Sequence, residues 1–201
     1  TPEYTMIALQ GPKAETILNK AIHGQSFEKL KHNHITNIKS YLSSSWISRT
    51  GYTGEDGFEL YLKHDDVQEL WFEILGKGQD LGIAVCGLAA RDTLRIEAGL
   101  PLYGHEYDEG ITPLEAGYGW AVDLNKDFIG RDNLAKQKEQ GITKKLIGIE
   151  SIDRIIPRNN YHIMPEESFE IVGIVTSGTL SPTLSKPIGM AYIRKELFDS
   201  G

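Results

Sequence analysis

The chain has 201 residues, 40% of them apolar and 24% charged, with a formal net charge of −7. That composition supports a globular core and excludes a disordered chain, and the acidic balance argues against nucleic acid as a general partner because it repels phosphate backbones. A single cysteine, Cys86, rules out an intrachain disulfide and suits a reducing compartment, and no run approaches the ~20 apolar residues of a membrane span.

The first element is a strand over residues 4–9. Gly11-Pro12 then opens a helix through Ala14 to Leu18, with proline near the first turn, where its missing N–H does no harm. Residues 25–40 read as polar and irregular. Tyr41 to Arg49 is a second strand, and the triple serine Ser43-Ser44-Ser45 within it reads as an exposed strand face. A third strand, residues 57–63, alternates with period two. Between the second and third strands lies Thr50-Gly51-Tyr52-Thr53-Gly54-Glu55-Asp56, a glycine-rich connection of hairpin type.

Asp65-Asp66 starts a helix in which Val67, Leu70, Trp71, Ile74 and Leu75 recur at spacings of three and four, and Gly76 and Gly78 mark its end. Ile83-Ala84-Val85-Cys86 reads as a short apolar strand, with Cys86 as a small buried residue. Gly87 to Glu97 is a helix stopped by Gly99 and Pro101, and a shorter helix spans about Asp132 to Gln140. Beyond Leu146 the pattern changes to short strands at residues 146–149, 169–175 and 188–192. Alternating strands and helices argue for an α+β or α/β layer up to about residue 124, and a boundary near 140 divides the chain into residues 1–140 and a small β domain, or part of one, over residues 141–201. The abrupt start at Thr1 and the equally abrupt end at Gly201 suggest a piece of a longer protein.

Several residues are candidates for chemistry. Gly51, Gly54 and Gly57 form G-x-x-G-x-x-G, but a strand follows rather than a helix, so a dinucleotide cradle is excluded. A turn with left-handed backbone angles explains the run equally simply. Glu59 is a carboxylate in the middle of the third strand. It either faces water or, beside Tyr52 and Tyr61, accepts paired N–H bonds from a flat heterocycle. Arg91 sits in the first turn of its helix, against the helix dipole. It either pairs with Asp92, Glu97 or a neighbouring strand, or it forks onto a ligand carbonyl or carboxylate. The histidines, His32 and His34 among them, are scattered without ligand spacing, so no metal site is expected. Ser177 lacks a nucleophile elbow.

Longer segments carry a resemblance. They are Ser48-Arg49-Thr50-Gly51-Tyr52-Thr53-Gly54-Glu55-Asp56-Gly57-Phe58-Glu59, Gly87 through Leu100, Leu102-Tyr103-Gly104, Asp127-Phe128-Ile129-Gly130 and Val175 through Pro182. Together they resemble the T protein family of the glycine cleavage system, the tetrahydrofolate-dependent aminomethyltransferases, over essentially the whole chain. The resemblance implies a ferredoxin-like region and a C-terminal β-barrel domain, here partial, around a folate channel. It implies transfer of a one-carbon unit from the aminomethyl-dihydrolipoyl arm of the H protein to tetrahydrofolate, with release of ammonia, in a bacterial cytoplasm or a mitochondrial matrix. Glu59 matches the family glutamate at the folate and Arg91 the family arginine of the same site. Tyr52 falls on a motif tyrosine, and Tyr103 is a further pocket candidate. The family aspartate that helps to position or protonate the folate amine has no match here, and a family arginine near the C-terminus lies beyond Gly201. The resemblance thus implies a folate wall without a complete catalytic set, and a chain that is inactive by itself. Other readings are the folate module of a sarcosine or dimethylglycine dehydrogenase, a folate-dependent RNA-modifying relative, and a non-catalytic folate-binding or protein-interaction module.

Overall fold

In the computed structural model, residues 3–39 and 45–198 are described. The chain divides into two compact units at Arg91/Asp92.

The first unit is built on one four-stranded antiparallel sheet. Its strands are β1 (Tyr4–Gln10), β2 (Ile35–Asn37), β3 (Trp46–Ser48) and β4 (Gly57–Lys63), in the order β1-β4-β3-β2. Helices α1 (Ala14–Ala21) and α2 (His64–Gly78) pack against each other and against β1 and β4. Alternation decides which face they cover. Ile7 and Leu9 of β1, Ile47 of β3, and Phe58, Leu60 and Leu62 of β4 are all buried. They meet Ile17, Leu18, Leu70 and Ile74 of the helices in one core. Each such side chain contributes about 1.5–3 kcal/mol when fully withdrawn from water. The other face, with Met6, Ala8, Trp46, Glu59 and Tyr61, stays partly exposed.

Several sequence expectations need correction here. The 25–40 segment contains β2, paired with β3. Ser45 is buried rather than on an exposed face, while residues 41–44, with the rest of the triple serine, lie outside the described residues. The second helix runs through Gly76 to Gly78 and on into a 3-10 turn, Gln79–Leu81; it stops at Gly82, whose φ of +78° reverses the backbone. Residues 83–87 form no strand, since among the described residues no strand pairs with them, and Cys86 is exposed.

The boundary between the units falls within α3 (Leu88–Glu97). The second unit then contains α4 (Arg131–Gln140) and a second four-stranded antiparallel sheet. Its strands are β5 (Lys144–Glu150), β6 (His162–Ile163), β7 (Gly173–Ser181) and β8 (Lys186–Arg194), in the order β5-β8-β7-β6; a short helix α5 (Lys195–Phe198) follows. The α+β class with a partial barrel domain is the architecture found. The strand expected from residue 169 begins only at Gly173, and Phe169 is almost fully exposed. Ahead of it, Arg194 Nη2 donates to the Glu170 carboxylate and the Ile171 carbonyl.

The second unit has a small apolar cluster around Ile96, Ile188 and Met190, and beside it a charged centre. Arg95 and Glu106 are both buried and joined at 2.5 Å. Glu106 Oε2 also accepts the Leu102 N–H, while Oε1 accepts the hydroxyls of Thr176 and Ser177. A bulge between Val175 and Ser177 explains how adjacent β7 residues both reach it. Burial pulls the Arg95 pKa down, but Asp92 and Glu106 outweigh it and hold the guanidinium above its ordinary value. Removing one partner of a buried pair strands the other charge. Glu106→Gln is therefore expected to lower stability by about 3–5 kcal/mol, read as a shift of the urea midpoint; an unmoved midpoint would remove the pair from the structural core.

Candidate functional site

Glu59 stands opposite Ser48 on β3 and Ala8 on β1. Because Phe58 and Leu60 on either side of it face the core, strand alternation places its side chain on the partly exposed face. There it is held by neighbours. Thr50 Oγ1 donates to Glu59 Oε2 at 2.5 Å, and the Tyr61 hydroxyl donates to the same oxygen at 3.2 Å. Ser48 Oγ lies 2.6 Å from Thr50 Oγ1. Among the described residues, no donor reaches Glu59 Oε1.

The glycine-rich connection is fixed from inside and outside. On the inside, Gln10 Nε2 donates to the Thr50 and Phe58 carbonyls, and Thr53 Oγ1 donates to Gln10 Oε1. This explains most of the glycine spacing. A Cβ on Gly51 would overlap Gln10 Oε1, and one on Gly57 would lie 2.5 Å from the same amide. Only Gly54 takes a left-handed conformation, at φ +79°; Gly51 and Gly57 are there for close approach. The reading of the whole run as left-handed turn residues is corrected accordingly.

On the outside, Arg49 forks onto Asp56 through Nε at 2.9 Å and Nη2 at 2.6 Å. The same guanidinium reaches Glu15 at 2.7 Å and lies 5.2 Å from the centroid of the Phe58 ring. The Arg49 hydrogen bonds hold the Asp56 carboxyl below its ordinary value, against a smaller opposing effect of burial.

Arg91 has neither of the ion-pair partners anticipated near it. Asp92 bonds Arg95, and Glu97 caps the β7–β8 connection through Ser181 and Thr183. Instead the Arg91 guanidinium lies over the Tyr52 ring, 4.9 Å from its centroid. Stacking of this kind is worth about 0.5–2 kcal/mol and leaves the guanidinium edge able to donate. Among the described residues no carboxylate pairs with Arg91, and none bridges it to Glu59.

Tyr52 and Arg91 are thus brought together, and Glu59 is positioned through the connection that carries Tyr52. Tyr103 belongs to the second unit, where it is mostly exposed and packs edge-on against Tyr107 at 5.6 Å. Gln10, Ser48 and Thr50 escaped the sequence reading. Gln10 ends β1, far from the motif in sequence, and only the strand register Gln10↔Gly57 brings it there. The hydroxyls of Ser48 and Thr50 did lie at strand-like spacing before Glu59, which was the available signal. Among the described residues, no group of three or more His, Cys, Asp or Glu could hold a metal, and no helix is long and apolar enough to cross a membrane.

Comparison with known proteins adds to this geometry. Residues 1–126 match the model of the GCVT N-terminal domain, and residues 144–201 that of the glycine cleavage T-protein C-terminal barrel domain. An aminomethyltransferase of Symbiobacterium thermophilum is 51% identical over 95% of this chain and 52% of its own length. One from Geobacillus sp. (strain WCH70) is 50% identical over 96% of this chain and 53% of its own. The crystal structure of glycine cleavage system aminomethyltransferase T from Bartonella henselae matches with a TM-score of 0.84 at 32% identity, over 95% of this chain and 52% of that one. The chain spans about half the length of the relatives it matches.

The packing of Gln10 against the glycines makes a double-mutant cycle informative. Gly51→Ala is expected to displace the Gln10 amide and cost about 1–2 kcal/mol, the scale of its hydrogen bonds. In a Gln10→Ala background the same change should cost far less; equal costs in both backgrounds would break the link. The fork between Arg49 and Asp56 predicts a pH effect of definite sign. A depressed carboxyl stabilises above its ordinary range, so protection of amides 51–57, normalised to intrinsic exchange, should fall as pH drops below 3.8 and through the lowered folded value. Asp56→Asn should abolish that step, and flat protection across the window would contradict the fork's role.

Proposed function

The chain belongs to the glycine cleavage T-protein family, and on that premise we propose that it forms part of the folate site of an aminomethyltransferase. In the intact enzyme the reaction moves a one-carbon unit from the aminomethyl-dihydrolipoyl arm of H protein to tetrahydrofolate and releases ammonia. Residues 1–140 supply the folate-binding region and residues 141–201 part of the C-terminal barrel domain. The working compartment is a bacterial cytoplasm or a mitochondrial matrix.

The observation that carries this reading is the state of Glu59. It is an immobilised carboxylate on the exposed face of a sheet, with one oxygen engaged by hydroxyls and the other without a donor among the described residues. A pterin presents adjacent N–H donors on a flat edge, and a carboxylate is the matching acceptor. Arg91, stacked on Tyr52 and without a carboxylate partner among the described residues, offers N–H donors to a carbonyl or carboxylate of the same ligand. Tyr52 supplies an apolar ring to the site, and Tyr103, which belongs to the second unit, keeps a folate-binding assignment from the motif resemblance alone. These side chains bind and orient the acceptor. The family aspartate has no counterpart among these residues, so the 201-residue chain alone does not complete the transfer.

Two measurements test this. In the full-length enzyme, Glu59→Gln and Arg91→Met should each weaken tetrahydrofolate binding by roughly ten- to a hundredfold, the range for a charge-assisted hydrogen bond; calorimetry showing unchanged affinity would refute the assignment. The pure 201-residue chain, supplied with aminomethylated H protein and tetrahydrofolate, should form no methylene-tetrahydrofolate. Turnover by that chain would show that the aspartate segment is dispensable.

A further inference from the structure

From the hydroxyl chain Ser48–Thr50–Glu59 we infer that Thr50 is a positioning residue: it locks the Glu59 carboxylate so that one oxygen, Oε1, is presented to the ligand. The inference rests on the folate reading above and deepens it. An ionised carboxylate only accepts hydrogen bonds, so the single proton on Thr50 Oγ1 is committed to Glu59 Oε2. Thr50 Oγ1 must then accept from Ser48, which fixes the direction of the chain: Ser48 donates to Thr50, and Thr50 donates to Glu59. Donation from Ser48 polarises the Thr50 hydroxyl and strengthens its own bond to the carboxylate.

Thr50 is itself held at both ends. Gln10 Nε2 grips its carbonyl, and Ser48, which is buried, holds its hydroxyl. The Tyr61 hydroxyl supports the same Oε2 from within β4. Two donors on one oxygen remove the rotational freedom of the carboxylate and bias the ligand to the other oxygen. On the β1 side of Glu59 the cross-strand neighbour is Ala8, an exposed methyl that competes for neither oxygen. A carboxylate oriented before binding spends less of its interaction on ordering, which is how preorganisation raises affinity. The ligand class that benefits is a heterocycle that donates N–H groups to the carboxylate; a ligand without them gains nothing from the orientation.

The test uses the full-length enzyme, with tetrahydrofolate and a 2-desamino tetrahydrofolate analogue, one N–H donor group poorer, as probes. Thr50→Val keeps the shape and removes the donor. It should weaken tetrahydrofolate binding about tenfold, the scale of one charge-assisted hydrogen bond, and leave the analogue's affinity much less changed. Thr50→Ser should restore tetrahydrofolate binding. Ser48→Ala, which leaves the Thr50–Glu59 bond in place, should weaken binding in the same direction by a smaller factor; it also serves as the second probe if Thr50→Val fails to fold by its melting curve. Wild-type affinity for tetrahydrofolate in Thr50→Val, alongside weakened binding in Glu59→Gln, overturns the inference and leaves the folate reading standing. Equal losses for both ligands, or no rescue by serine, also overturn it by assigning Thr50 a general structural role. Unchanged affinity in Glu59→Gln removes the carboxylate from the site and takes both conclusions with it.

Discussion

The first unit depends on the burial of Phe58, Leu60 and Leu62 along one face of β4. Those side chains are fully enclosed by the helices and the neighbouring strands. A strand with period two has no freedom left once that face is committed. Glu59 and Tyr61 must occupy the opposite face, and the register with β3 then sets Ser48 beside Glu59. A slip of one residue would bury a carboxylate and expose phenylalanine, so the core that stabilises the unit also aims the candidate site.

The glycine-rich connection converts this register into geometry. Its ends are tied on one side by a glutamine amide from β1 and on the other by an arginine–aspartate fork. Absence of a side chain at Gly51 and Gly57 makes room for the amide, while Gly54 supplies the reversal. Tyr52 is therefore carried on a braced loop, and the guanidinium of Arg91 rests on it. Two of the charged networks among the described residues differ in kind. Arg49 with Asp56 is partly exposed, screened by solvent, and acts on a loop. Arg95 with Glu106 is enclosed and organises the interior of the second unit, where the apolar cluster is small.

At three places the partners that the fold supplies, which local composition does not encode, separate the structure from the local pattern. Cys86 and its neighbours are apolar enough for a strand, but among the described residues no partner strand adjoins them and the thiol is exposed. Phe169 and Ile171 have strand propensity, yet β7 starts later, at Gly173, where its ladder with β8 begins opposite Ile193. Arg91 has an acidic neighbour in sequence, but Asp92 is taken by Arg95, one helical turn on. In each case the partner that the fold supplies, or withholds, decided the outcome.

Local pattern was sufficient to place β1, β4, α1, α2 and α3, though not the C-terminal end of α2, because periodicity is a property of adjacent residues. It was also sufficient to single out Glu59, since a carboxylate among alternating core positions is conspicuous without coordinates. The motif resemblance, rather than periodicity, attached that residue to folate chemistry. The sequence could not supply the hydroxyl chain on Glu59, the amide behind the glycines, the aromatic platform under Arg91 or the enclosure of Glu106. Each joins residues on different elements, and apart from the strand-like spacing of Ser48 and Thr50 their separation along the chain carries no trace of the distance that folding closes.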